Sequence, residues 1–203
     1  MIVHSPRHVP TLADLTDDEL HAIAAAWHAR LAAAREAGFD YPFLLFNEGR
    51  EAGASLPHTH SQLVWLRQSP PEVERELPRL ASGACALCEV LAEDTLELAV
   101  DGDLSLRAAP AGRAPYEVLI APQRHAAEPG LEELVSALRL LRLTVTRLHD
   151  VEGPVPWNAW LHHGAHWHFE IVPRLPVLAG LELGGGIFVN WLPPEEAATR
   201  LRS

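Results

Sequence analysis

His58, His60 and Gln62, at alternate positions, are the residues of this sequence best suited to chemistry at phosphorus. On an extended strand all three project to one face. A neutral imidazole attacks phosphorus well near neutral pH, and once protonated it is a good leaving group. A carboxamide two positions on can donate hydrogen bonds to non-bridging phosphoryl oxygens as charge builds there. The Ser55 hydroxyl and backbone amides near Gly53, in the loop that follows Asn47, could do the same. On spacing alone, His-x-His on a strand is more often a metal site or a surface feature than a nucleophile.

A second group begins at Cys85-x-x-Cys88, the only two cysteines of the chain. In a reducing compartment that spacing reads as a metal half-site or a redox pair rather than a structural staple. No thioredoxin-like context surrounds it. His162, His163, His166 and His168 crowd a short stretch near the C-terminus. A metal-dependent hydrolase using His162, His166 and His168 is a further reading of that crowding. His21, His28 and His149 fall in helical segments and read as packed or solvated side chains.

The elements that must position these groups follow from pattern. Residues 14–37 read as an amphipathic helix, with Thr16 as N-cap, acids in the first turn and Gly38 as stop. Residues 41–47 read as a strand, 48–57 as a Gly-containing loop, and 58–67 as the next strand. A short charged helix spans 72–80, and 81–84 reads as a linker. Segments 96–100 and 104–109 flank Asp101-Gly-Asp103 as a hairpin. Residues 116–121 form a third strand of this half, 131–149 a long helix, 166–172 another strand, 187–190 a short β-like piece, and 195–202 a final helix. Each half shows a His after a Pro-containing turn (Ser5-Pro-Arg-His8, Pro122-Gln-Arg-His125), then a long helix, then a strand with His-x-His.

The 203 residues suffice for one large domain or two small ones. The formal charge is −11 and every basic residue is Arg. That balance argues against a nucleic-acid partner, because counterion release requires clustered positive charge. No apolar run approaches a membrane span. The first eight residues lack the pattern of a secretory signal, so a cytoplasmic location is expected.

The run Asn47-Glu-Gly-Arg-Glu-Ala-Gly-Ala-Ser-Leu-Pro-His-Thr-His-Ser-Gln62 resembles the active-site signature of the galactose-1-phosphate uridylyltransferases, a branch of the histidine-triad superfamily. Asn47, Gly53, Ser55, His58, His60 and Gln62 fall on it, with Thr59 replacing the family's middle Pro. His166-Trp-His-Phe-Glu-Ile-Val-Pro-Arg174 and Ala179-Gly-Leu-Glu-Leu-Gly-Gly-Gly-Ile-Phe-Val-Asn190 resemble the end of the second module of such proteins.

The resemblance implies an α+β fold of antiparallel sheets with packed helices, about one and a half modules long. Residues 1–80 would be the end of the first module and 81–203 the second. The first module's own Cys-x-x-Cys would belong to a segment ahead of His4, and the strand 58–67 would be left with an open edge. His60 would attack the α-phosphorus of a UDP-sugar, forming a uridylyl-histidine that a second sugar 1-phosphate then resolves. Gln62 cannot shuttle a proton, which suits transfer over hydrolysis. Asn47 and Ser55 would contact the phosphoryl group and Glu182 the sugar hydroxyls.

Cys85, Cys88, His125 and His166 match a zinc site of many relatives, and His8 with His58 the imidazole half of another. In a different branch Glu76, His162, His166 and His168 build an iron site. Both sites need His166, and the Cys pair favours zinc. A homodimer is implied. The alternatives are a nucleotidyl phosphorylase acting on ADP-glucose, and a zinc-stabilised binding or assembly domain without activity.

Overall fold

A computed structural model describes residues 1–81, 83 and 85–202. In chain order these form β1 (Ile2–Val3), α1 (Asp17–Glu36), β2 (Tyr41–Glu48), β3 (His60–Leu66), α2 (Pro71–Glu76) and α3 (Ala86–Leu91). There follow β4 (Glu97–Asp101), β5 (Leu104–Ala108), β6 (Val118–Pro122), α4 (Leu131–Glu152), β7 (Trp157–His162), β8 (His168–Pro173), α5 (Gly180–Gly185) and α6 (Pro194–Arg202). All eight strands join one antiparallel sheet in the order β1-β3-β2-β7-β8-β6-β5-β4. The α+β class and the antiparallel pairing agree with the sequence.

Helix α1 starts where its cap chemistry dictates. The Thr16 hydroxyl accepts from the Glu19 N–H at 3.3 Å, and Glu19 Oε2 accepts from the Thr16 N–H at 2.8 Å. The helix packs on α4, and α6 packs against α4 in turn. Together they cover one face of the sheet. Trp27, Leu44, Phe46, Trp157, Ala159, Leu161, Phe169 and Ile171 meet there in a core that spans both halves of the chain. Strand alternation therefore sends Leu45, Asn47, Asn158, Trp160, His162, His168 and Glu170 to the opposite face. On that face a smaller apolar cluster of Leu80, Cys85, Leu87 and Ala121 forms at the start of α3.

Several expectations change. The most consequential is β7, a central strand that no periodicity marked and that joins the halves by pairing with both β2 and β8. Strand 58–67 starts at His60 and does not carry an open edge throughout. It pairs with β2 along its length, and β1 caps its first two residues through Ile2–Ser61 and Val3–His60. Segment 187–190 is not a strand; Ile187, Phe188 and Val189 lie exposed after α5. Of the expected linker 81–84, Ser82 and Ala84 lie outside the described residues. Helices α3 and α5 were not anticipated.

Candidate functional site

Strand register assembles the first cluster. Leu45 pairs with Gln62 and Phe46 with Ser61, so His60, one step on, lies alongside Asn47 on the open face. His58 precedes the strand and is not part of its alternation. The His60 ring is buried, and its Nδ1 lies 2.8 Å from the His58 carbonyl. A carbonyl only accepts, so Nδ1 carries the proton and Nε2 holds the lone pair. That Nε2 is buried and has no hydrogen-bond partner among the described residues. An orphaned buried nitrogen is rare in folded proteins and points to an absent partner.

The loop after β2 is shaped by glycine. Gly49 has φ +86°, and a Cβ there would stand 2.7 Å from Pro156 Cβ, so the loop closes onto the approach to β7 only with glycine at this position. Gly53 ends a short 3-10 turn in the left-handed region. The amides of Gly53 and Ala54 are already bonded to the carbonyls of Arg50 and Gly49. The exposed Ser55 hydroxyl remains as a side-chain donor of this loop.

Asn47 Oδ1 accepts from Asn158 Nδ2 at 2.7 Å, which leaves the Asn47 amide NH2 as its donor. Asn158 was not singled out from the sequence. The signal that could have found it is the alternation of Trp157, Ala159 and Leu161 against Asn158, Trp160 and His162, masked by Pro154 and Pro156.

His4 sits beneath this cluster, buried against Phe46, with Nδ1 2.9 Å from Thr59 Oγ1. Burial, reinforced by His60 and His58, pushes its pKa down to about 3, so it stays neutral. His8 and His58 place their ring centres 5.7 Å apart. Glu182 lies on α5, where its carboxylate accepts from the Ala179 N–H and caps that helix. No hydrogen bond among the described residues links Glu182 to the His60 cluster.

Cys85, Cys88, His125 and His166 converge on the same sheet face, with ligand atoms all within 4.8 Å of one another. His166 Nδ1 lies 3.3 Å from Cys85 Sγ and 3.4 Å from Cys88 Sγ, and His125 Nδ1 lies 3.6 Å from Cys88 Sγ. A tetrahedral ion with ordinary Zn–S and Zn–N lengths sets its sulfur and nitrogen ligands about 3.6 Å apart, so the donors fit. His166 Nε2 faces the Pro122 carbonyl at 2.9 Å, which turns the Nδ1 lone pair toward the thiols.

Glu76, His162 and His168 form a second group able to hold a metal ion. His162 Nδ1 lies 2.6 Å and His168 Nε2 3.3 Å from the Glu76 carboxylate, and the two rings stack. Burial pushes the His162 pKa down, but the Glu170 and Glu76 carboxylates outweigh it and raise it to about 9. Burial likewise opposes ionisation of Glu76, yet the two histidines hold it well below the usual range. The ring of His166 belongs to the thiol group, so three of the four residues expected at an iron site converge and the two sites do not compete. Beside them, a cavity of about 690 Å³ is lined by Phe43, Arg79, Arg113, Trp160 and Glu170 among others.

The family model described as galactose-1-phosphate uridyl transferase, N-terminal domain, matches residues 1–71. ADP-glucose phosphorylase of Arabidopsis thaliana is 28% identical over 223 residues, an alignment that covers all of this chain and 63% of that protein. Galactose-1-phosphate uridylyltransferase of Thermotoga maritima is 28% identical over 230 residues, covering all of this chain and 72% of the other. The chain thus spans less than two thirds of the Arabidopsis protein. Among solved structures, a uridylyltransferase superposes with a TM-score of 0.91 at 30% identity, over 98% of this chain and 72% of that one. The Arabidopsis ADP-glucose phosphorylase with bound ADP-glucose gives 0.89 at 26% identity, over 99% and 71%. With this fold, this identity and the signature around His60, the chain belongs to the galactose-1-phosphate uridylyltransferase family.

Proposed function

We propose that the chain transfers a nucleotide through His60, moving UMP between UDP-glucose and galactose 1-phosphate by way of a uridylyl-histidine. The observation that carries this reading is the His60 ring: Nδ1 is committed to the His58 carbonyl, and Nε2 is left unprotonated and unpartnered beside Asn47 and Gln62. Nε2 attacks the α-phosphorus, the Nε2–P bond forms, and the bond to the sugar 1-phosphate breaks with its electron pair. The incoming sugar 1-phosphate, already an anion, then displaces the imidazole without a general base. Asn47, Gln62 and Ser55 donate to the non-bridging oxygens, and Gly53 shapes the loop that carries Ser55.

Zinc is the metal proposed for Cys85, Cys88, His125 and His166, where it would supply a cross-link between α3, the segment after β6 and the turn before β8. His8 and His58 are proposed as the imidazole half of another such site. The group Glu76, His162 and His168 suits iron as the alternative metal. Glu182 is proposed to reach sugar hydroxyls in a homodimer, from one copy to the site of the other. No helix among the described residues is long and apolar enough to cross a membrane. A cytoplasmic setting is part of the proposal.

The match to ADP-glucose phosphorylase supports a second reading in which AMP is carried instead and inorganic phosphate resolves the adduct. Incubation with UDP-glucose and with ADP-glucose, each labelled at the α-phosphate, separates the two. Wild-type protein is expected to retain label from UDP-glucose, and His60→Ala none. Label from ADP-glucose alone would move the assignment to the second reading. No label from either would leave a zinc-stabilised binding domain.

A further inference from the structure

Asn47 is useful at phosphorus only if its carboxamide presents NH2, rather than oxygen, to the open face. An amide does not choose its end unaided, because the two orientations have nearly the same shape. The hydrogen bonds around Asn158 make the choice. Arg174 Nη1 donates to Asn158 Oδ1 at 3.2 Å. Guanidinium has no acceptor, so the end of Asn158 facing Arg174 must be the oxygen. The other end is then NH2, and it meets two acceptors, Asn47 Oδ1 at 2.7 Å and the Ala52 carbonyl at 2.8 Å. The Ala52 carbonyl independently requires a donor there. Asn47 must therefore turn its own oxygen toward Asn158 and its NH2 away from it.

We propose that Asn158 is a positioning residue, braced by Arg174, that fixes the donor end of Asn47 and ties down the 50–53 loop. This rests on the reading of Asn47 as a phosphoryl contact. It also gives the second half of the chain a part in chemistry carried by the first, since Asn158 and Arg174 lie on β7 and just after β8. Register makes this possible: Asn47 pairs with Asn158 across β2 and β7, and Asn158 with Val172 across β7 and β8, two residues before Arg174.

Asn158→Asp is the informative variant. It keeps the shape and the bond from Arg174 but cannot donate, so Asn47 must swing its NH2 toward the new carboxylate and offer oxygen to the phosphoryl group. Capture of label by His60 at saturating donor is expected to fall about 10²-fold, the usual loss of one transition-state donor. The half-saturating donor concentration should move less than about threefold. Asn158→Ala, which merely frees Asn47, should lose less. Asn47→Ala combined with Asn158→Asp should be no slower than Asn47→Ala alone, because both act through one group. Multiplying losses, or wild-type rates in Asn158→Asp, would overturn the proposal.

The side-chain amide protons of Asn47, followed by NMR without any donor, give a readout independent of turnover. One of them should move downfield in Asn158→Asp as it bonds a carboxylate. An unmoved pair would overturn the positioning claim even in an active protein. A moved pair in a protein that never takes label would uphold it and reject the phosphoryl reading instead.

Discussion

The segments around His60 and His168 are built alike and behave differently. In each, the Nδ1 of the strand histidine faces the carbonyl two residues earlier, at 2.8 Å for His60 and 3.1 Å for His168. In each, the residue between the histidines donates its N–H to the carbonyl after an outlying histidine: Thr59 to Val9 at 2.7 Å, Trp167 to Ala126 at 2.8 Å. The outlying His8 and His125 then stand beside His58 and His166. One backbone scheme thus orients a strand imidazole twice. What differs is the opposite nitrogen. His60 Nε2 has no partner among the described residues, whereas His168 Nε2 faces Glu76, and Glu170 stands where Gln62 stands. Glu170 is itself ion-paired to Arg113. The backbone supplies an oriented imidazole; the neighbours decide whether its other nitrogen is left without a partner or held in a charged cluster.

The largest test breaks the pair at its two strand histidines. His60→Ala should lower formation of the nucleotide adduct by roughly 10⁴-fold, the scale of losing a covalent catalyst, while the protein keeps its fold. His168→Ala should leave the adduct forming and lower stability instead, since it strips Glu76 of a partner. Single-turnover labelling beside denaturant unfolding reads both. Equal loss of label in the two variants would sink the distinction.

The metal group sharpens the contrast, because only the second segment has cysteines beside its imidazole pair among the described residues. Cys88→Ser, or extraction with a strong chelator, should remove one equivalent of zinc per chain and about 3 kcal/mol of stability. At 2–4 °C per kcal/mol for a chain of this size, melting should fall by roughly 10 °C. A purified protein with no bound metal and unchanged melting in Cys88→Ser would remove the site from the account.

A third variant makes the first segment resemble the second. Gln62→Glu places a carboxylate where phosphoryl charge develops and should slow adduct formation by about 10²-fold, with little change in stability. The converse, Glu170→Gln, withdraws a partner from Arg113 and should cost about 2 kcal/mol, less than a fully buried pair because both side chains retain some exposure. A Gln62→Glu enzyme as fast as wild type would mean that Gln62 does not face the reacting phosphate.

Much of this contrast was readable beforehand, and the unread part has a physical cause. Thr16 through Glu19 announced α1 because a capping box is local chemistry, and Asp101-Gly-Asp103 announced its hairpin for the same reason. The Cys85 group was legible because metal-ligand spacings such as Cys-x-x-Cys are short-range patterns, and the segment from Asn47 to Gln62 stood out because its family signature is one contiguous string. Strand β7 was not, since Pro154 and Pro156 resemble loop punctuation and Trp160 breaks the polar alternation. Its strand character comes from pairing with β2 and β8, which no local window contains. Asn158 and Arg174 share that origin. Segment 187–190 failed the opposite way: its Ile, Phe and Val favour a strand, but no neighbour among the described residues pairs with it.

The smallest effect concerns acid. Thr59 receives His4 beneath the first segment, while its counterpart Trp167 fills the same place in the second with a fully buried, non-titrating ring. His4 has its pKa pushed down to about 3 by burial, against an ordinary value near 6.5 once unfolded. Between those values the unfolded chain takes up a proton that the native chain refuses. Stability contributed by neutral His4 is therefore complete above about pH 6.5 and declines as pH falls toward 3, by at most about 1.4 kcal/mol per pH unit. His4→Gln can keep the bond to Thr59 without titrating. Comparing the two proteins by denaturant unfolding at pH 7, 6 and 5 isolates this slope from the other histidines. Parallel curves would show that His4 takes its proton in the native state, and the acid sensitivity would have to originate elsewhere.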